Sequence, residues 1–205
     1  QTLEDYVGQR HLVGEGSVMR KMIDSGNISS VIFWGPPGVG KTTLAKIISK
    51  KINTSFYTLS AISSGVKDVR EVIEKAKGAR FFNETRPILF IDEIHRFSKA
   101  QQDSLLAAVE EGVVTLIGAT TENPSFEVIS PLLSRCQVYV LKLLEHEELI
   151  SLAHKAIKED NLLKTLNIKI QEEGALVRYS GGDARKLLNI IDLVVGSQQD
   201  SKEII

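Results

Sequence analysis

One glycine-rich stretch, Gly35-Pro-Pro-Gly-Val-Gly-Lys41-Thr42, limits the folds open to this chain more than any other feature. It follows a short, β-branched apolar run at residues 30–34 and precedes residues 44–50, which have helical spacing. A strand, a glycine-rich loop and a helix are the context in which the pattern G-x-x-x-x-G-K-[ST] binds phosphate. Outside that context the stretch would be an ordinary turn. The sequence therefore predicts a nucleoside triphosphate site.

The residue types in this loop suit phosphate chemistry. Backbone N–H groups must close around phosphate oxygens, and a Cβ would block some of the dihedral angles required. The helix start adds free N–H donors and the positive end of its dipole. We expect Lys41 to reach the β- and γ-phosphates and the Thr42 hydroxyl to hold Mg²⁺. The predicted nucleotide-binding residues of the loop are Gly35, Pro36, Pro37, Gly38, Val39, Gly40, Lys41, Thr42 and Thr43.

Composition narrows the class of protein without identifying it. The 205 residues allow one large domain or a domain with a small appendage, and 42% hydrophobic with 25% charged residues is ordinary for a globular protein. A net charge of −1 gives no global attraction to nucleic acid, so any such contact requires a local patch. The single cysteine, Cys136, excludes an internal disulfide and is expected to be buried in the last strand. No apolar run approaches the roughly 20 residues that span a bilayer, so we expect a cytoplasmic protein, nucleoid-associated if bacterial.

A second acidic motif follows an apolar run at residues 87–93, Pro-Ile-Leu-Phe-Ile-Asp92-Glu93. A fully apolar strand indicates burial on both faces, hence a parallel sheet covered by helices, and its carboxylates lie at the edge where such sheets bind ligands. An acidic pair often only ends a strand, but its position after the phosphate loop makes it a Walker B element. Asp92 would position Mg²⁺, and Glu93 would act as general base toward water. Glu93 argues against a small-molecule kinase, which must exclude water.

The rest of the chain completes a two-part architecture. Residues 113–119 form another apolar strand, which places the hydroxyls of Thr120 and Thr121 beside the Walker B carboxylates. From residue 145 onward the pattern is helical only, at 145–158, 171–179 and 183–196. We therefore predict an α/β fold: a P-loop core of parallel sheet flanked by helices in residues 1–143, then a small helical lid in residues 144–205.

Five phrases together carry a family resemblance. They are the phosphate loop, Phe-Ile-Asp-Glu-Ile-His-Arg-Phe at 90–97, Gly-Ala-Thr-Thr-Glu-Asn-Pro-Ser-Phe at 118–126, Leu-Leu-Ser-Arg-Cys at 132–136 and Gly-Gly-Asp-Ala-Arg at 181–185. In combination they resemble AAA+ ATPases of the clamp-loader-like group. The likeness is nearest to the replication-associated recombination protein A family (RarA or MgsA, the Werner-helicase-interacting protein in eukaryotes), and it runs over residues 3–195.

The resemblance implies roles for five further positions. Thr121 is similar to the sensor 1 residue, and Arg135 resembles the arginine finger that reaches the nucleotide of a neighbouring subunit. Arg185 resembles sensor 2, which the lid presents to the γ-phosphate. Val7 and Gly8 resemble the turn that contacts the adenine edge through backbone atoms. The family's chain continues past the lid into an oligomerisation region, which the resemblance implies is missing from this sequence.

Plainer interpretations of three residues stay open at this point. Arg135 would serve equally as a surface salt-bridge residue. Arg185 would pair with Asp183 or with solvent. His95 has no second His or Cys at ligand spacing, so we expect a structural contact rather than a metal ligand.

Two predicted helix starts carry hydroxyl and cationic groups suited to a phosphate backbone. In clamp loaders the corresponding helix starts follow the DNA backbone, and this sequence resembles them there. Ordinary N-capping by serine is the alternative. The candidate DNA contacts are Ser64, Lys67, Arg70 and Lys99.

The expected function follows from the motifs and the resemblance together. It is a Mg²⁺-dependent hydrolase of ATP to ADP and phosphate, stimulated by DNA and acting in replication-fork maintenance, recombination and repair. The implied partners are fork, gap or end structures of DNA, further copies in a ring-like oligomer, and single-strand-binding protein, with no membrane. The alternatives are a clamp-loader subunit, a branch-migration motor, or a nucleotide-switched oligomeric scaffold.

Overall fold

The computed structural model describes residues 2–80, 85–166 and 168–197 and contains a five-stranded parallel sheet. The strand order is β2-β3-β4-β1-β5, and every neighbouring pair is parallel. The predicted α/β fold with a parallel sheet is therefore confirmed. The strands are β1 Val31–Trp34, β2 Phe56–Ser60, β3 Ile88–Asp92, β4 Thr115–Thr120 and β5 Gln137–Val140.

Helices connect these strands and make up most of the chain after β5. Within the described residues, no helix is long and apolar enough to cross a membrane. The α-helices are α1 Arg10–Val13, α2 Val18–Asp24, α3 Lys41–Lys51, α4 Val66–Arg80, α5 Lys99–Glu110, α6 Pro124–Glu127, α7 Ser130–Leu133, α8 His146–Glu159, α9 Glu173–Ser180 and α10 Ala184–Ser197. Two short 3₁₀ helices, η1 Ile94–Arg96 and η2 Leu163–Thr165, complete the set of helical elements.

The chain divides into two compact units. The first contains the whole sheet and comprises the residues up to Tyr6, Arg10–Gly35 and Lys41–Leu141. The second comprises the helices from Lys142 onward together with two short earlier segments, Val7–Gln9 and Pro36–Gly40. The sequence predicts a single boundary between core and lid, after residue 143. The division by contacts falls after Leu141 and adds the two earlier segments.

The core of the first unit lies around β3 and β4. Every residue of β4 is buried, and so is every residue of β3 except the last, Asp92, as expected for strands covered on both faces. Helix α4 packs against this core through Val69, Ile73 and Ala76, which lie on one face of the helix. The edge strand β5 is mostly exposed, because only β1 pairs with it. Just before β5, Cys136 is half-buried and packs against the core, and burial raises its pKa to about 12.

Two glycines permit close approaches in the first unit. A Cβ added at Gly118 on β4 would lie 3.1 Å from Ile94 Cδ1, so the glycine lets η1 pack directly on the strand. A Cβ added at Gly35 would lie 2.3 Å from the backbone oxygen of Leu141, just after β5. The backbone N–H of Gly35 also donates to Thr120 O at 3.1 Å. The first residue of the phosphate loop, Gly35, is therefore held between the ends of β4 and β5 by backbone contacts.

The second unit has its own hydrophobic core. Helices α8, α9 and α10 pack together around buried side chains, and Gly181 ends α9 in the left-handed conformation, with φ of 59°. The buried core residues are Leu144, Leu149, Ala153, Leu163, Leu187 and Ile191.

A matched pair of phenylalanines tests the described core. Phe90 on β3 is fully buried, whereas Phe126 on α6 is 84% exposed. Phe90→Ala should lower the free energy of unfolding by about 3–5 kcal/mol, because it removes buried apolar area and leaves a cavity. Phe126→Ala should change it by no more than about 0.5 kcal/mol. Urea unfolding of both variants measures the difference, and similar losses would contradict the burial assigned here.

Candidate functional site

The phosphate loop leads from β1 into α3, as the sequence predicts. Gly38 and Gly40 adopt positive φ angles of 71° and 93°, which L side chains rarely adopt. Lys41 begins α3 and is only 8% exposed, and its Nζ donates a hydrogen bond to the carbonyl oxygen of Gly35 at 2.6 Å. Holding a buried ammonium group costs free energy unless negative charge or acceptors surround it. The loop therefore fits an anionic ligand such as a phosphate.

Within the second unit, Gly38 contacts the start of α10. The backbone N–H of Ala184 donates to the carbonyl oxygen of Gly38 at 3.1 Å. The Asp183 carboxylate caps α10 by accepting the N–H groups of Arg185 and Lys186 at 2.8 and 3.0 Å. A Cβ added at Gly38 would lie 1.8 Å from Asp183 Oδ1. Only glycine fits at this point of the loop. No pattern in the sequence predicts this contact.

The turn containing Val7 and Gly8 also belongs to the second unit. Gly8 is buried with φ of 84°, and an added Cβ would overlap Leu144 Cδ2. Gln9 follows with φ of 54°, and its side-chain amide makes two hydrogen bonds to the backbone of Lys142. Gln9 Nε2 donates to Lys142 O at 2.6 Å, and the N–H of Lys142 donates to Gln9 Oε1 at 2.9 Å. Sequence analysis missed Gln9, because a glutamine beside a glycine gives no pattern. The amide therefore holds the predicted adenine-contact turn against the backbone of Lys142.

The Walker B carboxylates lie at the carboxyl end of β3, in the first unit. Asp92 is the last residue of the strand, and Glu93 follows in the left-handed conformation, with φ of 54° and ψ of 48°. The hydroxyl of Thr121, just after β4, donates to Glu93 Oε2 at 3.3 Å. His95 Nδ1 lies 3.1 Å from the same oxygen. The structure thus brings Glu93 and Thr121 together, and it adds His95, which the sequence analysis expected only as a structural contact.

The oxygen ligands proposed for Mg²⁺ come from two elements in contact. Thr42 is the second residue of α3, Asp92 ends β3, and these two elements pack together. Mg²⁺ takes hard oxygen ligands and usually keeps waters and substrate phosphates, so one hydroxyl and one carboxylate fit it. Among the residues that the structure describes, no group of three or more His, Cys, Asp or Glu side chains is placed to hold a metal ion by itself.

The two predicted arginines lie on exposed surfaces, each within its own unit. Arg135 forms an ion pair with Glu110 Oε1 at 2.5 Å and donates from Nη1 to Pro131 O at 2.8 Å. An exposed pair of this kind contributes about 0–1 kcal/mol, so it opposes a change of partner only weakly. Arg185 is the second residue of α10, and its contact with Asp183 is made by the backbone N–H.

The candidate DNA contacts lie at the starts of α4 and α5. Gln101 Nε2 donates to the carbonyl oxygen of Ser64 at 2.8 Å, which ties the two helix starts together. The positive charges of Lys67, Arg70 and Lys99 are all exposed there.

The same helix starts are also capped by their own side chains. Ser98 and Gln101 form a capping box at α5, so a serine caps this helix start, which is the alternative to a DNA contact. At α4, the Asp68 carboxylate accepts the N–H of Gly65 at 2.7 Å. Some donors at both starts are therefore satisfied within the chain, and Asp68 adds negative charge near Lys67.

A protein-family model matches the part of the chain that contains the sheet. The model described as "ATPase family associated with various cellular activities (AAA)" matches residues 31–143, more than half of the chain. These residues run from β1 to just beyond β5 and include the phosphate loop and the Walker B carboxylates. The chain belongs to the AAA family of ATPases.

Curated relatives show which members of this family the chain resembles. The chain is 47% identical to the replication-associated recombination protein A of Haemophilus influenzae, over 98% of this chain and 46% of that protein. The protein of the same name in Escherichia coli K12 is 42% identical, over 95% and 44%. The "ATPase WRNIP1" of Dictyostelium discoideum is 43% identical, over 98% and 23%. The predicted resemblance is confirmed, and the chain spans less than half the length of these relatives.

Among solved structures, the chain is similar to the RuvB Holliday junction branch migration motor of Thermotoga maritima. The TM-score is 0.77 at 26% identity, over 100% of this chain and 68% of that one.

Substitution of Gly38 tests the contact with Asp183. Gly38→Ala and Gly16→Ala both place alanine at a positive φ, of 71° and 81°, and each should cost roughly 1–2 kcal/mol for that reason. Only Gly38→Ala adds a steric clash, because nothing lies within 4 Å of a Cβ at Gly16. Urea unfolding should therefore show a larger loss for Gly38→Ala.

A second background separates the clash from other effects. Asp183→Ser keeps an N-cap hydroxyl but shortens the side chain next to Gly38. In that background Gly38→Ala should cost less than in the original chain. An unchanged cost, or equal losses for Gly16→Ala and Gly38→Ala, would contradict the contact.

Proposed function

We propose that this chain binds ATP with Mg²⁺ and hydrolyses it to ADP and phosphate, driving work on DNA during replication-associated recombination and repair. The observation that carries the hydrolytic part is the hydrogen bond from Thr121 to the Glu93 carboxylate at the carboxyl edge of the sheet. A carboxylate held beside a hydroxyl group, in a chain that also carries a phosphate loop, is suited to orient and deprotonate water. A phosphate-binding scaffold without hydrolysis would not need it.

Each residue then has a defined task. Lys41 donates to the β- and γ-phosphates, exchanging its bond to Gly35 for contacts with anionic oxygens. Thr42 and Asp92 hold Mg²⁺, which supplies positive charge against the phosphates. Glu93 accepts a proton from the attacking water, and Thr121 orients that water or senses the γ-phosphate.

The remaining assignments involve other parts of the nucleotide or another subunit. Val7 and Gly8 contact the adenine edge through backbone atoms, and Arg185 acts as sensor 2 on the γ-phosphate. Arg135 acts on the nucleotide of a neighbouring subunit in a ring-like oligomer, where a planar, permanently charged guanidinium stabilises negative charge on the γ-phosphate. Supporting this role, Arg135 is exposed and its present ion pair is weak.

Work on DNA is supported by the names of the relatives. Proteins named for replication-associated recombination match over 94–98% of this chain at 42–47% identity. The branch migration motor is similar at only 26% identity, so a motor of that kind is the less supported alternative. Ser64, Lys67, Arg70 and Lys99 would contact the DNA backbone, and single-strand-binding protein is a further proposed partner.

The DNA proposal has a direct test at natural full length. ATP turnover is measured alone and with forked, gapped and blunt-ended DNA. Stimulation by fork, gap or end structures supports the proposal. ATP binding without DNA-stimulated turnover would instead favour a nucleotide-switched scaffold.

The roles of Glu93 and Lys41 predict separable losses. Glu93→Gln should keep nucleotide affinity and lose about 10²–10⁴-fold in turnover, because the amide keeps the shape but cannot take a proton. Lys41→Ala should weaken nucleotide binding itself. Lys46→Ala, an exposed lysine on the same helix, is the matched control and should change neither. Titration with a fluorescent ATP analogue and steady-state turnover measure both quantities. Near-normal turnover of Glu93→Gln would remove Glu93 from the mechanism.

The role of Arg135 predicts recovery in mixed oligomers. Arginine fingers contribute roughly 10³–10⁵-fold to turnover in related nucleotide hydrolases, so Arg135→Ala and Glu93→Gln should each be inactive alone. A mixture should regain activity, because an Arg135→Ala subunit with intact Glu93 receives a finger from its Glu93→Gln neighbour. Turnover is measured against mixing ratio at natural full length. Absence of recovery, with turnover independent of protein concentration, would contradict action between subunits.

A further inference from the structure

The side chain of His95 contacts the carboxylate that the proposed mechanism uses as a base. Its Nδ1 lies 3.1 Å from Glu93 Oε2 and 3.1 Å from Thr120 Oγ1. His95 itself is mostly buried, with 11% of its side chain exposed. The contact is independent of the Thr121 hydroxyl, which reaches the same carboxylate oxygen from β4.

The hydrogen-bond partners of Thr120 favour one tautomer of the histidine ring. Thr120 Oγ1 accepts the backbone N–H of Glu122 at 3.0 Å and donates its single proton to Glu122 O, also at 3.0 Å. It therefore has no proton left for His95, and an ionised Glu93 carboxylate has none to give. Both short contacts of Nδ1 can be hydrogen bonds only if Nδ1 carries the proton. With the proton on Nδ1, His95 donates to Thr120 Oγ1, and the same nitrogen lies 3.1 Å from Glu93 Oε2.

The backbone at Glu93 is strained in a way that makes such support necessary. Its left-handed conformation is unfavourable for a residue with a side chain, and such conformations persist where the surroundings determine them. The turn is closed by the N–H of Arg96, which donates to Glu93 O at 2.8 Å. The fully buried Ile94 anchors it against Gly118. His95 lies in this same turn, which places its ring near the carboxylate.

We propose that His95 is a positioning residue for Glu93, holding Oε2 through Nδ1–H so that Oε1 faces the attacking water. The proposal rests on the proposed function of Glu93 as general base. Thr121 donates to Oε2 and His95 Nδ1 lies 3.1 Å from it, and together they restrict the rotation of the carboxylate. Orientation of this kind affects the reaction step rather than nucleotide affinity.

Three substitutions of His95 separate positioning from packing. In asparagine the amide nitrogen occupies a place close to that of Nδ1, so His95→Asn retains the donor. In glutamine the amide group lies nearer the place of Nε2, so His95→Gln keeps polarity but misplaces the donor. His95→Leu removes the donor altogether. His146→Gln, at an exposed histidine on α8, controls for the loss of a histidine.

The expected result is a change in kcat with nucleotide affinity unchanged. His95→Gln and His95→Leu should lower kcat roughly 10- to 100-fold, because misplacing a reacting group by about 1 Å costs up to about 10²-fold. His95→Asn should retain turnover within about threefold, since it keeps a donor at the critical position. Equal kcat in all three variants and the original protein overturns the proposal. So does a loss for His95→Asn as large as that for His95→Gln.

A combined variant shows whether His95 acts through Glu93. Adding His95→Gln to Glu93→Gln should cause no further loss of kcat, because residues that act as a unit are not additive. A further loss of 10-fold or more in the double variant overturns the assignment, with the threshold set by the roughly 10- to 100-fold effect of misplacement. Failure of the proposed function has a different signature, in which Glu93→Gln alone hydrolyses ATP at the normal rate.

A measurement on the unsubstituted protein covers the case in which His95 variants do not fold. Nitrogen-15 NMR of the imidazole rings distinguishes a protonated from an unprotonated Nδ1, and the chain has only four histidines to assign. A proton on Nδ1 of His95 supports the proposal. An unprotonated Nδ1 overturns it, because the ring then cannot donate to Glu93.

Discussion

Backbone hydrogen bonds at the carboxyl edge of the parallel sheet hold the proposed catalytic groups in place. Gly35 N–H donates to Thr120 O at 3.1 Å, and Ala61 N–H donates to Asp92 O at 3.0 Å. These bonds extend the pairing of β1 with β4 and of β2 with β3 by one residue. The phosphate loop, the Walker B carboxylates and Thr121 therefore begin from positions that main-chain geometry has already set. Substituting a side chain at this edge should alter chemistry more than it alters the position of the strand ends.

The sequence predicted the elements whose burial leaves a simple pattern. Strand β3 is an unbroken apolar run before Asp92, because both of its faces are covered, and the acidic pair that follows is visible for the same reason. Strand β4 is buried throughout although it contains Thr115 and Thr120. The long helices α8 and α10 have regular apolar spacing. Helices α6 and α7 were not predicted, because four residues are too few to show a period. Each has a proline in its first turn, and α6 is also preceded by Asn123, whose side chain caps it, but such signals alone do not define a helix.

The contacts that the sequence did not predict join residues that share no pattern. Gln9 bonds the backbone of Lys142, 133 positions away, and nothing in either neighbourhood marks the pairing. The contact of Gly38 with the start of α10 is of the same kind. His95 differs, because it lies two residues from Glu93, yet its contact depends on a left-handed turn at an ordinary glutamate. Short-range sequence rules assign that conformation to glycine or asparagine, so they fail at this site.

The strain at Glu93 also shows how the fold can sustain the proposed active arrangement. A left-handed non-glycine residue costs roughly 1–2 kcal/mol. Burying an isoleucine side chain such as Ile94 contributes about 1.5–3 kcal/mol, so packing of the next residue offsets the strain. Gly118 makes this possible, since a larger residue on β4 would push Ile94 away from the strand. The strained turn then directs Glu93 and His95 to the same side, next to Thr120 and Thr121. A glycine in the sheet therefore favours the packing of Ile94 that supports the turn at Glu93.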